Sequence, residues 1–135
     1  MRRVTTPLAV LALALLARGV LAETILTPRG PAEVFSRGGQ FDLVELLRQT
    51  GADVQFAPAA GSYGVVLGEH ELQFTPGGSL AVVDGKLTAL PAPVRLTDGR
   101  PLGSAATAEA LLAAIGWTLR RGSRGWELTA LGGGE

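Results

Sequence analysis

LLRQTGADVQF, residues 46–56, and LLAAIGWTLRR, residues 111–121, are near-copies of one another within a chain of 135 residues. Each carries a leucine pair, a glycine five residues after the first leucine, and an alternating apolar run behind it. A glycine at that spacing is a left-handed helix stop, so both stretches read as the end of a helix followed by a strand. The match continues outward: PAEVFSRGGQF from Pro31 faces PAPVRLTDGRPL from Pro91, and GSYGVVL from Gly61 faces GSRGWEL from Gly122.

In the first copy, a strand at 32–36 leads through Gly38-Gly39 to a helix capped by Asp42, with Glu45 in place for a capping box and Phe41 for a staple on Leu46. Leu43, Leu46, Leu47 and Thr50 share one helix face, and Gly51 ends it. Strands at 52–56 and 63–67 follow, with Val54, Phe56, Val65 and Leu67 on one side by period two. In the second copy Ser104 caps a helix whose buried stripe is Ala108, Leu111, Leu112 and Ile115, and Gly116 ends it. If RGSR at 121–124 is the last hairpin loop, Leu119 lies opposite Trp126 and Trp117 opposite Leu128, and both tryptophans belong to the core. Between the copies, Gly68-Glu69 predicts a tight turn before His70, and Asp84-Gly85 a hairpin turn.

One strand-helix-hairpin unit buries too little. A helix of about ten residues is marginal alone, and so is a two-stranded hairpin. The expected fold class is therefore α+β: a small single domain made of two tandem strand-helix-hairpin repeats joined by a β-hairpin and sharing one core. The expected boundaries are a signal peptide at 1–22, an N-terminal lead at 23–30, repeat 1 at 31–68, a linking hairpin at 69–90, repeat 2 at 91–131 and a flexible tail at 132–135.

Arg2 and Arg3 precede an apolar run from Leu8 to Ala17 that closes in Val20-Leu21-Ala22, the pattern of a secretory signal peptide. The run is too short for a permanent membrane helix, which needs about 20 residues. The expectation is an exported chain, in the periplasm, the cell envelope or outside the cell, sent by the general route in preference to the twin-arginine one. Loss of Arg2, Arg3 and Arg18 leaves nine basic against twelve acidic residues, a net charge of −3, which speaks against nucleic acid or anionic membrane as partner. There is no cysteine, so neither disulfides nor thiolate chemistry is available and stability must come from packing.

The stretch AVVDGKLTALPAPVRLTDGRPLGSAATAEALLAAIGWTL, from Ala81, resembles the copper amine oxidase N-terminal-like domain, a stalk-type family. It looks like that family's pattern of a strand with Asn-Gly-Lys (here Asp84-Gly85-Lys86), a proline pair, a DGR turn, a short helix ending in Leu-Gly (here Ile115-Gly116) and a strand with Trp. The resemblance covers 31–131. Leu102-Gly103-Ser104 follows Arg100-Pro101 where the family continues into Val-Pro-Leu-Arg. The resemblance implies a small α+β module of bacterial secreted and cell-envelope proteins, often beside a cell-wall amidase or protease. With no enzyme attached in this sequence, a module acting alone or by association is expected.

The family name suggests copper, but copper needs clustered His, Cys or Met. The chain has one His, no Cys and a single Met at position 1. No metal or other cofactor is expected, and His70 reads as an ordinary half-exposed strand histidine. None of Ser36, Ser62, Ser79, Ser104 and Ser123 sits in a G-x-S-x-G elbow, and no phosphate-binding glycine loop is present. No catalytic residue is assigned. The candidate contacts are the hairpin tip Arg120, Arg121 and Arg124, whose guanidinium groups suit a phosphate, a carboxylate or an acidic partner, and Tyr63 in the APAAGSY loop. The same arginines also read as a solvated turn. The expected function is a non-catalytic binding or stalk module contacting cell-wall polymer or an envelope protein, against the alternatives of a structural spacer without a ligand and an unrecognised envelope enzyme.

Overall fold

The computed structural model describes residues 22–131, so the expected signal peptide, apart from Ala22, and the expected tail at 132–135 lie outside the described residues. In chain order the elements are β1 (Ala22–Thr27), β2 (Gly30–Arg37), β3 (Gln40–Asp42), α1 (Leu43–Arg48), β4 (Asp53–Ala57), β5 (Ser62–Leu67) and β6 (His70–Phe74). They continue as β7 (Leu80–Val83), β8 (Lys86–Ala89), β9 (Arg95–Thr97), β10 (Arg100–Ser104), α2 (Ala105–Ala114), β11 (Trp117–Gly122) and β12 (Gly125–Ala130). The fold is mostly β with two short helices, roughly α+β. A curled seven-stranded mixed sheet runs β11-β12-β1-β2-β3-β10-β9, and a five-stranded antiparallel sheet runs β4 to β8 in order.

The helices start and stop where side-chain chemistry requires. Asp42 accepts hydrogen bonds from the Val44 and Glu45 N–H groups, and Ser104 accepts one from Thr107 N–H. Gly51 (φ +89) and Gly116 (φ +85) supply the left-handed stops. Leu43, Leu46 and Leu47 of α1 are buried, as are Ala108, Leu111 and Leu112 of α2 with Ile115 at its cap. These residues join Val54 and Val65 of one hairpin and Leu119 and Leu128 of the other in a single core.

At the centre, β3 and β10 pair antiparallel with Asp42 opposite Leu102, Phe41 opposite Gly103 and Gln40 opposite Ser104. The pairing is symmetric about Phe41 and Gly103, so the two helix caps, Asp42 and Ser104, sit at mirrored ends of it. Both flanks run strand, turn, strand, helix, hairpin: β2-β3-α1-β4-β5 and β9-β10-α2-β11-β12. The hairpins then go different ways, β4-β5 into the five-stranded sheet and β11-β12 into the seven-stranded one.

Several expectations need correction. The stretch at 23–30, read as a lead, holds β1, which lies between β12 and β2, pairs parallel with the former, and buries Ile25 completely. The expected turn at Gly68-Glu69 does pair β5 with β6, with Val65 opposite Leu72 and Leu67 opposite His70, and because β6 also pairs with β7 the stretch at 69–90 continues one meander from β5. In β11-β12 the loop is Ser123-Arg124 and not RGSR: Gly125 takes φ +110 and lets pairing reach Gly122. Leu119 therefore faces Leu128, and Trp117 faces Ala130. A two-residue shift keeps every side chain on its face, but both tryptophans are only partly buried. Glu45 does not close the capping box; its carboxylate accepts from Phe35 N–H and pairs with Arg100. The Phe41 ring meets Trp126 edge-on at 5.4 Å. Asp84 (φ 49) and Gly85 (φ 84) make the expected hairpin turn, with Asp84 also accepting from Glu71 N–H at 2.8 Å.

Candidate functional site: an apolar groove between the sheets

A row of aromatic side chains crosses β4, β5 and β6. Tyr63 lies opposite Phe56 on one side and Phe74 on the other, with ring centroids 4.9 Å and 5.4 Å away. Burial falls along this row from Phe74 at 1% exposed, through a partly buried Tyr63, to Phe56 at 50%. Phe56 shares its strand face with Val54, as period two requires, but it lies near the end of the edge strand β4, where the sheet outruns the core beneath it.

The space beyond Phe56 is a groove of about 570 Å³ lined by Phe56, Gly61, Tyr63, Pro76, Leu96 and Gly99. Its far wall comes from the β9-β10 hairpin, whose Leu96 is 59% exposed. Pro76 is held there by backbone bonds: Gly77, at φ +87, donates to the Val94 carbonyl, and Val94 N–H donates to the Gly78 carbonyl at 3.1 Å. Polar groups stand behind the apolar lining. Burial, with the Asp42 carboxylate as a smaller cause, pushes the Tyr63 hydroxyl above its ordinary value of 10.0.

Asp42 belongs to an ion cluster that ties the two flanks together. Arg100 Nη1 lies 2.8 Å from Asp42 Oδ2 and 2.8 Å from Glu45 Oε2, and the guanidinium stacks over the Phe35 ring at 4.1 Å. Glu45 first, then Asp42, hold the Arg100 guanidinium above its ordinary value. Asp42, Glu45 and Arg100 are all paired, and among the described residues no three His, Asp or Glu side chains converge on one point. The arrangement can take up an apolar or aromatic group; it presents no paired acid and base.

Tyr63, named from sequence where the APAAGSY loop meets the strand at 63–67, lies in β5 and lines this groove. The three arginines are not brought together. Arg120 and Arg121 are successive residues of β11 and point to opposite faces. Arg120 faces Glu127, the Arg121 guanidinium lies 5.3 Å from the Trp126 ring, and Arg124 is exposed in the turn. Sequence reasoning missed Phe56 and Leu96 as surface residues, because strand alternation reports a face without saying how far the opposing core extends. His70 is half-exposed, its Nδ1 3.5 Å from Asp84 Oδ2. Among the described residues no helix is long and apolar enough to cross a membrane.

No protein-family model matches the chain, and no curated protein matches it.

Proposed function

We propose that this is a non-catalytic, exported binding module of the cell envelope that takes an apolar side chain of a partner protein into the groove between Phe56, Tyr63 and Leu96. The observation that carries this is two large apolar side chains, half or more exposed, facing one another across a lined groove. Covering Phe56 and Leu96 would contribute about 2 kcal/mol apiece at roughly 25 cal/mol per Å², which suits an anchor within a larger contact. The same lining disfavours a cell-wall polymer, whose phosphates and carboxylates call for converging cations, and the hairpin-tip arginines diverge.

The proposal carries a finer view of the fold. The chain is two tandem strand-helix-hairpin repeats sharing one core, of the stalk type that the DGR, proline-pair and Gly-stop residues resemble. The matching order of elements on the two flanks and the symmetric β3-β10 pairing support it; the divergent destinations of the hairpins mark where the copies have specialised.

The test is photo-crosslinking in exporting cells, with a benzophenone side chain at position 96. A discrete protein adduct that Phe56→Ser abolishes supports the reading. Adducts to cell wall alone, or sedimentation with purified cell wall that is lost when Arg120, Arg121 and Arg124 become serine, would restore the polymer reading. No adduct at all would leave the spacer.

A further inference from the structure

Among the described residues β8 is a free edge of the five-stranded sheet, and all four of its residues are exposed. Leu90 N–H donates to the Ser79 carbonyl at 2.8 Å, which makes 79 and 90 a hydrogen-bonded pair. In an antiparallel ladder such pairs alternate, so Ala81 with Thr88 and Val83 with Lys86 are bonded pairs as well. Leu87, opposite Val82, and Ala89, opposite Leu80, therefore direct their N–H and C=O groups off the open edge. The Leu87 side chain is 71% exposed, and it shares the sheet's outward face with Val82, Leu80 (50% exposed) and Val66 (47%).

Natural sheets blunt such edges with charges, prolines or bulges. β9 has three residues and is flanked by the Arg37–Asp98 ion pair, β11 carries Arg120 and Arg121, and β4 opens on Asp53. β8, Lys-Leu-Thr-Ala, has a single charge, no proline, and the most exposed large apolar side chain among the described residues at its centre.

We propose that β8 pairs antiparallel with β8 of a second copy of this chain, with Leu87 opposite its own counterpart. A two-fold axis at Leu87 makes that contact self-complementary: each Leu87 N–H donates to the other's carbonyl. Lys86 then falls opposite Thr88, so no like charges meet. Residues directly opposite share a face, and the outward apolar strip of one sheet continues into the next. A register one residue away would set Leu87 against Thr88, whose N–H and C=O already bond Ala81, so the ladder could not form. The contact is small, below the ~1,200 Å² of stable interfaces, so the association is weak and concentration-dependent.

Sedimentation equilibrium of the chain from Ala22 onward tests this. The apparent mass is expected to rise with concentration toward twice the monomer value. Leu87→Glu and Leu87→Lys should each stay monomeric, because like charges meet at the axis, and an equimolar mixture of the two should associate again. Leu87 amide exchange in the unaltered chain gives a second readout that needs no variant: it should slow several-fold as concentration rises. A chain that stays monomeric throughout, variants that associate as well as the parent, a mixture that fails to recover, or Leu87 exchange indifferent to concentration would each overturn the proposal.

Discussion

Replacing Arg100 by methionine keeps the aliphatic stem and removes the charge that ties β10 to the cap of α1. Three contacts are lost. The Glu45 pair is 39% exposed on each side and is worth at most about 1 kcal/mol in that setting. The contact over Phe35 adds about 0.5–1 kcal/mol. The Asp42 carboxylate, 5% exposed, loses its counter-charge, which costs up to 3–5 kcal/mol for a fully buried pair. Here the cost falls to about 1 kcal/mol, because Asp42 keeps two N–H donors and the 39% exposed Arg100 site admits water. The expected loss is about 2–3 kcal/mol, or a Tm lower by roughly 8–15 °C for a domain of this size. Urea denaturation followed by tryptophan fluorescence measures it. Asp42→Asn in the Arg100→Met background should cost less than it does alone, because the two side chains share one interaction. A loss under about 0.5 kcal/mol, or additive effects, would refute the assignment of this cluster as the tie between the flanks.

Gly103→Ala tests the close approach at the same seam. A Cβ there would lie 3.0 and 3.1 Å from the two Cδ atoms of Leu43, which is fully buried. Crowding costs about 1–3 kcal/mol and outweighs the 0.4–1 kcal/mol or so that a Gly→Ala change returns through the unfolded chain; Leu43→Val should cost less in the alanine background than in the parent, as urea midpoints will reveal. Tyr63 is the sole tyrosine, so ultraviolet titration reports it alone and should place its ionisation above 10.0. Since folding raises this pKa, the stability it contributes is full below 10.0 and declines as pH rises through the folded value, and a Tyr63→Phe variant followed by circular dichroism should lack that alkaline decline.

The caps and stops were legible because they are local. Asp42 and Ser104 begin helices, and Gly51 and Gly116 end them, through bonds that span only a few residues. The buried faces of both helices and the Asp84-Gly85 turn were legible for the same reason. β1 was not: only Ile25 of its six residues is fully buried, and its parallel partner β12 lies about a hundred residues downstream, where no periodicity reaches. The β11-β12 loop was misread because a shift of two residues leaves the pattern of faces intact and only the conformation of Gly125 decides between the readings. The groove was half legible. Tyr63 stood out by composition, whereas Leu96 joins it only through the way β9 and the Pro76 segment close over the end of β4-β5. The three arginines, adjacent in sequence, are parted by strand alternation that a loop reading had set aside.

The two flanks share one core, so neither half is expected to fold without the other. Fragments 22–90 and 91–131 test it most directly, by thermal circular dichroism separately and after mixing. The account predicts no cooperative transition in either fragment alone and recovery of one in the mixture, driven by reunion of β3 with β10 and of Asp42 with Arg100. A cooperative transition in the fragment that stops at Leu90 would contradict it.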